Sequence, residues 1–182
     1  MAGLKDINGT YSIDPAHSRL GFVARHAMIT KVRGSFTDFE GTASGNGADP
    51  STAHVEVSAK ATSIDTGNKM RDDHLRSGDF FDVEAYPGVK FVSTAVKVLD
   101  DETLEISGDL TIRDQTHSLT IPFEFMGAVT DAFGNKRIGF EGTTTISRKE
   151  FGLTWNKAVE AGGVLVSDKI VLEIEISAIE QE

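Results

Sequence analysis

The sequence predicts an all-β fold, an eight-stranded antiparallel up-and-down barrel with one short helix around residues 68–77. Three observations predict it. Apolar and polar residues alternate with period two along most of the 182 residues, as strands with one dry and one wet face require. The connections at 100–102 (Asp-Asp-Glu) and 114–116 (Asp-Gln-Thr) are short and polar, which suits hairpins and cannot span a parallel crossover. Eight half-buried strands in succession must also hide their edges, and closure into a barrel removes them. A two-sheet sandwich is the alternative topology.

The strands are expected at approximately 19–28, 33–46, 54–62, 89–99, 103–113, 117–130, 137–149 and 168–179. In the first, Leu20, Phe22, Ala24, His26 and Met28 share a phase. Val32, Gly34 and Phe36 open the second, which ends near Gly45. In the third, Val55, Val57, Ala59 and Ala61 alternate with Glu56, Ser58 and Lys60. The stretch 89–99 is β-branched and aromatic but has no single phase. Leu104, Ile106, Gly108, Leu110 and Ile112 mark one face of the fifth strand, and Leu119, Ile121, Phe123, Phe125, Gly127 and Val129 one face of the sixth. Phe-Gly-Asn within 131–136 signals the next turn. Ile138, Phe140, Gly142, Thr144 and Ile146 then share a face, as do Ile170, Leu172, Ile174, Ile176 and Ala178.

Residues 68–78 break the alternation. Asn68 as cap and Gly78 as stop bracket a run of helix formers, with Met70 and Leu75 able to face inward. The following stretch from Asp79 to Pro87 contains Phe80, Phe81, Val83 and Tyr86. A loop that apolar has to pack on something, such as the barrel mouth.

Composition narrows the chemistry. There is no cysteine, so disulfides, thiolate metal sites and a cysteine nucleophile are excluded. The net charge of −10 disfavours nucleic acid and anionic membranes as partners, although a local basic cluster could hold one anionic group. No run reaches the roughly 18 apolar residues of a membrane span, and residues 1–9 carry no secretory h-region or cleavage site. His17, His26, His54, His74 and His117 form no HxH, HxxxH or HExxH spacing, so no sequence-local metal motif exists. GxSxG, GxGxxG and the P-loop are absent. Asp72 and Asp73, beside Arg71 and Arg76, read as solvated ion pairs on the helix. The expectation is no catalytic residue, no metal and no cofactor.

The barrel interior carries the functional reading. Eight strands enclose a space that side chains can fill or that one small ligand can occupy. Ala24, Gly34, Ala59, Ala61, Gly108, Gly127, Gly142 and Thr144 on the inward phase either leave volume or take part in a small-and-large packing taper. Both outcomes stay open at this point.

Several segments, in order, resemble the YceI-like family, a lipocalin-like group of small barrels associated with polyisoprenoids and other long apolar ligands. They are Tyr11-Ser-Ile-Asp-Pro-Ala-His-Ser18, Phe22-Val-Ala-Arg-His26, Val32-Arg-Gly-Ser-Phe36, Phe39-Glu-Gly41 and Ser63-Ile-Asp-Thr66. Arg71-Asp-Asp-His-Leu-Arg-Ser77, Asp79-Phe-Phe-Asp82 and Tyr86-Pro87 follow, then Gly108-Asp-Leu-Thr-Ile-Arg113, Arg148-Lys-Glu-Phe-Gly-Leu153 and Trp155. Each is weak alone; their order and spacing over nearly the whole chain are specific. Asp114 stands where the family often has glycine, and the export signal of many members is missing, which favours a cytoplasmic location.

The resemblance implies one YceI-like barrel domain over residues 1–182. It also implies binding, storage or transport of a long apolar chain in the lumen, of the polyisoprenoid, isoprenoid quinone or fatty-acyl kind. The residues expected to line the tunnel are Phe22, Ala24, His26, Phe36, Val57, Leu110, Phe123 and Phe140, with Arg71 and His74 near the mouth to hold a polar head. No enzymatic activity, nucleic-acid partner or stable membrane insertion is expected; a homodimer is compatible with the family. The alternatives are an enzyme acting on a small hydrophobic substrate through His26 or His74, and a solid-core structural or stress oligomer.

Overall fold

The computed structural model describes residues 2–159 and 163–182. Strands β1 (Asn8–Ile13), β2 (Arg19–His26), β3 (Thr30–Phe36), β4 (Phe39–Asn46), β5 (Asp49–Lys60), β6 (Ile64–Asp65), β7 (Gly88–Val98), β8 (Thr103–Ile112), β9 (Gln115–Thr130), β10 (Lys136–Ser147) and β11 (Lys169–Gln181) form one antiparallel sheet. The single α-helix among the described residues, α1, spans Lys69–Arg76. Three pairs of strands, β1/β2, β3/β4 and β5/β6, are successive halves of single staves, so eleven strands make eight staves. β11 closes the ring: its C-terminal half pairs with β1 from Thr10↔Gln181 to Ile13↔Ala178, and its N-terminal half with β2 from Arg19↔Glu175 to Val23↔Val171.

The eight expected strands correspond to the eight staves, with four corrections of detail. The first stave starts at Asn8 rather than 19, because the 3-10 turn Pro15–His17 divides it. The third starts at Asp49 rather than 54. Two bulges reset the inward phase: β7 shifts register between Ser93 and Ala95, and β9 carries Met126 as an extra residue opposite Gly139/Phe140. The first accounts for the mixed phase of 89–99, since Val89 and Phe91 point inward before the bulge and Val96 and Val98 after it. The second turns Val129 outward, where it is 64% exposed.

Helix α1 begins as expected, with the Asn68 side chain accepting from Arg71 N at 3.0 Å. It ends at Ser77 in extended conformation rather than at a left-handed Gly78. Met70 faces solvent, 85% exposed, while Leu75 packs inward. Asp72 is buried and accepts from Thr66 N at 2.9 Å and Thr66 Oγ1 at 2.6 Å. It is therefore an anchor rather than a solvated ion-pair partner; Asp73 fills that role with Lys69 and Arg76.

Each barrel end carries a segment laid over part of its opening. At one, Phe80 from the loop after α1 packs on Leu110, Ile112, Phe151 and Leu153. At the other, the 3-10 turn Leu4–Asp6 folds over the rim, with Leu4 N donating to Asp101 O at 3.1 Å and Gly47 N to Ile7 O at 2.7 Å. A Cβ at position 47 would collide with the Leu4 carbonyl, so this closure requires glycine.

Two arginines fasten the framework. The Arg148 side chain, 3% exposed, donates to the carbonyls of Leu153, Trp155, Val166 and Ser167. It gathers the chain on both sides of the β10–β11 connection. Burial pulls its pKa below the usual arginine value, opposed by Asp168. Arg137 donates to Asp131 at 2.7 Å and to Asp14 at 2.8 Å, joining the β9–β10 turn to the break in the first stave. Arg137 and His17 hold the Asp14 pKa at about 2, and Arg137 also lowers that of Asp131.

Arg148→Met leaves four carbonyls without their donor and should lower the unfolding free energy by roughly 3–5 kcal/mol, read by urea denaturation. Asp14 and Asp131 have depressed folded-state pKa values, so their contribution is fully present above the ordinary aspartate range and lost on acidification. Stability should fall between about pH 5 and pH 2, and Asp14→Asn should flatten that fall; an unchanged slope in the variant would count against the clamp.

Candidate ligand-binding lumen

The inward faces of the staves enclose a cavity of about 290 Å³. Its wall is aliphatic and aromatic: Ile13, Leu20 and Phe22 from the first stave, Phe36 from the second, Val57 from the third, Phe91 and Val96 from the fourth. Ile106 and Leu110, Ile121 and Phe123, Ile138 and Phe140, and Leu172, Ile174 and Ile176 complete the circuit. This volume sits near the lower end of small-molecule pockets, roughly 300–1,000 Å³, and suits one chain rather than a bulky ring system.

The volume does not come from the glycines themselves. A Cβ on Gly34 would overlap the Phe22 ring, and one on Gly108 or Gly142 would lie 2.5 Å from the rings of Phe91 or Phe123. Each ring therefore lies back against the wall over a glycine on the neighbouring stave, the arrangement by which aromatic residues shield strand glycines. Rings held at the wall leave the axis free. Phe22, Phe91 and Phe140 are only half-buried because one side of each faces the lumen.

Polar residues are scarce in the lining: Lys90, an exposed residue at the α1 end, and Tyr11, Ser44 and Asn46 toward the N-terminal mouth. Tyr11 OH donates to Asn8 O at 3.3 Å; burial raises its pKa, and Glu180 adds to the effect. Ser44 and Asn46 lie on the rim. Among the described residues, no group of three or more His, Asp or Glu side chains converges as a metal site.

Of the residues singled out in the sequence, Phe22, Phe36, Val57, Leu110, Phe123 and Phe140 line the cavity together. Ala24 and His26 continue the inward phase of β2 beyond it; His26 is exposed and bridges to Val166. Arg71 and His74 lie outside the lumen and fasten its cover. Arg71 Nε and Nη2 donate to Thr66 Oγ1 and Thr66 O. His74 Nε2 lies 2.9 Å from Asp79, its ring edge-on to Trp155 at 4.6 Å and Phe80 at 5.1 Å. Sequence reasoning missed the lining from Leu4, Ile7, Tyr11 and Ile13, although the alternation Tyr11-Ser12-Ile13 was a usable signal. It also missed Phe91, Val96 and Val98, which the β7 bulge disguises.

A closed eight-stave antiparallel barrel with an apolar lumen is of the lipocalin-like, up-and-down class. Within it, the YceI-like domain matches residues 11–178, and the chain belongs to that family. A UPF0312 protein of Pseudomonas putida is 33% identical over 174 residues, covering 94% of this chain and 87% of that one. The crystal structure of the Campylobacter jejuni YCEI protein superposes with a TM-score of 0.75 at 30% identity, covering 87% and 90% of the two chains. A structure described as a polyisoprenoid binding domain from Saccharophagus degradans shares the fold at 14% identity, with a TM-score of 0.73 and coverage of 94% and 98%.

The ring-over-glycine arrangement is open to direct test. Gly108→Val should force the Phe91 ring off the wall toward the axis, lowering stability by roughly 1–3 kcal/mol and shrinking the cavity in a crystal structure. An unmoved Phe91 ring would refute this account of the void.

Proposed function

We propose that the protein binds one long apolar chain in its lumen, of the polyisoprenoid, isoprenoid quinone or fatty-acyl type, for storage or transport, and catalyses no reaction. The observation that carries the reading is a cavity bounded by apolar side chains from all eight staves and almost bare of polar ones. Phe22, Phe36, Val57, Leu110, Phe123 and Phe140, with Phe91, Ile106, Ile121 and Ile174 beside them, are the proposed contacts.

The energetics suit such a guest. Burial is worth roughly 0.8 kcal/mol per CH₂, so each five-carbon unit supplies at most about 3–4 kcal/mol. Several units together exceed association costs of roughly 4–15 kcal/mol. Affinity thus needs no polar contact, and a head group is left to the mouth. Arg71 and His74 are engaged with Thr66 and Asp79, whereas the rim at Ser44 and Asn46 supplies neutral hydrogen-bonding groups. A solid-core oligomer is disfavoured by the cavity, and an enzyme by a lumen whose described lining has no acid–base pair.

Native mass spectrometry of the purified protein, before and after incubation with a long-chain prenol, a prenylquinone and a fatty acid, tests the reading. One chain per barrel is expected. Ile174→Trp, which inserts a larger side chain at the wall, should weaken retention at least about tenfold while the protein stays folded. Retention of no chain of any class would overturn the proposal.

A further inference from the structure

Carboxylates that make up the net charge of −10 sit at both barrel ends, with Asp65, Asp73, Asp79, Asp82, Glu84, Asp114 and Glu150 at the α1 end. Asp49, Asp100, Asp101, Glu102 and Asp131 occupy the turns at the end covered by the N-terminal 3-10 turn. The β2–β3 hairpin projects at the opposite end, the one that carries α1. Because Leu20 and Phe22 face the lumen, the odd-numbered residues of β2 face outward, and the register carries this phase to Lys31 and Arg33. Arg25 lies directly across the ladder from Lys31, with Arg33 two residues along. All three are exposed, and none has a carboxylate partner among the described residues. Like charges directly opposed on a strand pair destabilise it, and no described carboxylate forms an ion pair with any of the three; the nearest on the same face by register are Asp65, opposite Ser35, and Glu173, opposite Gly21.

The tip adds a second, separate feature. Met28 and Ile29 are 57% and 78% exposed. The turn places Ala27 at φ +49° and Met28 at φ +62°, left-handed conformations that glycine or asparagine adopts at lower cost. Arg25 Nη1 reaches over the turn to donate to Ile29 O at 3.2 Å, and Ala27 N donates to Leu165 O at 2.7 Å. Two aliphatic side chains are thus held out into solvent on a braced, strained turn, with a cationic collar behind them.

We propose that this hairpin docks on the surface of an anionic phospholipid bilayer. Met28 and Ile29 enter the boundary between headgroups and acyl chains, and Arg25, Lys31 and Arg33 lie among the phosphates. Aliphatic contact and electrostatic attraction reinforce each other at such interfaces, each Lys or Arg near the surface strengthening partitioning roughly fivefold. The hairpin lies at the α1 end, so the barrel approaches with that side first and the cations of the hairpin, rather than the end as a whole, meet the phosphates. The contact is peripheral: no described helix is long and apolar enough to cross a membrane. The inference rests on the outer surface and does not depend on what fills the lumen.

Flotation of the purified protein with vesicles of phosphatidylcholine alone, and of phosphatidylcholine and phosphatidylglycerol in equal parts, tests it. Binding is expected only to the phosphatidylglycerol vesicles, with release at high salt. The double variants Lys31→Glu/Arg33→Glu and Met28→Ser/Ile29→Ser should each reduce the bound fraction at least about tenfold, thermal melts confirming that they are folded. Phe133→Ser, in the β9–β10 turn at the opposite end, should leave binding unchanged. The Ile29→Trp variant should show blue-shifted emission on the anionic vesicles. No flotation, flotation on both vesicle types alike, or indifference to the hairpin substitutions would overturn the proposal. So would a hairpin that recognises an acidic protein while ignoring the vesicles. Ligand retention measured by native mass spectrometry on the same preparation separates failure of this proposal from failure of the lumen reading.

Discussion

Closure of the ladder between the last strand and the first stave is the constraint from which the rest of the molecule follows. β11 is long enough to pair with β1 and β2 in turn, but the stave it faces is broken at Pro15–His17. Side chains and loop backbone repair the gap. Ser177 N donates to Ser18 Oγ at 2.9 Å, Ser18 Oγ donates to Ser177 O at 3.1 Å, and Asp14 N donates to the same carbonyl at 2.8 Å. Buried backbone groups must find partners, and here the strand break is tolerated because they do. Once the ring is shut, an inside is defined, and every bulge and turn has to keep apolar residues on that inside.

The β7 bulge shows how closely this is enforced. Regular pairing between β5 and β7 ends at Glu56↔Val92, next to the register shift at Ser93/Ala95. There the Ser93 hydroxyl accepts from Val55 N at 2.8 Å. A polar side chain at an otherwise apolar wall thus does the work of a missing carbonyl. On the far side of the bulge the inward set moves from odd to even positions, and the lumen stays lined with Val96 and Val98. The β9 bulge changes phase in the same way where that strand runs past the rim.

These particulars decide what could be read from sequence. Six of the eight staves kept one phase long enough for their periodicity to report them, and Asn68 with the helix formers after it located α1. β1 was hidden because Gly9, Thr10 and Ser12 offer little apolar alternation, and its partner β4 is likewise rich in small residues. The mixed phase of 89–99 recorded a bulge faithfully, but an inserted residue cannot be told from an irregular loop without its partner strand. The lining residues in mid-strand were legible because period two gives the face. His26, Arg71 and His74 were placed too close to the lumen because periodicity gives direction but not height along the barrel axis, and nothing local showed that Thr66, Asp79 and Trp155 would engage the last two.

An axis that the protein's own side chains do not fill forfeits dispersion contacts that a packed core would supply. In this barrel the tightest packing is displaced to the wall and the ends. The largest fully buried side chains are Phe151 and Ile64, both near the α1 end rather than on the axis. The polar fastenings follow the same distribution: Arg148 gathers its carbonyls beside Phe151, and Arg137 bridges two turns on the outside. Buried arginines contribute where their donors meet fixed acceptors, and the chain connections at the ends can supply these while a strand interior already committed to its ladder cannot. The distribution separates the demands of folding from those of the lumen. Substitutions on the axis can therefore alter the space inside while the rim networks hold the barrel shut.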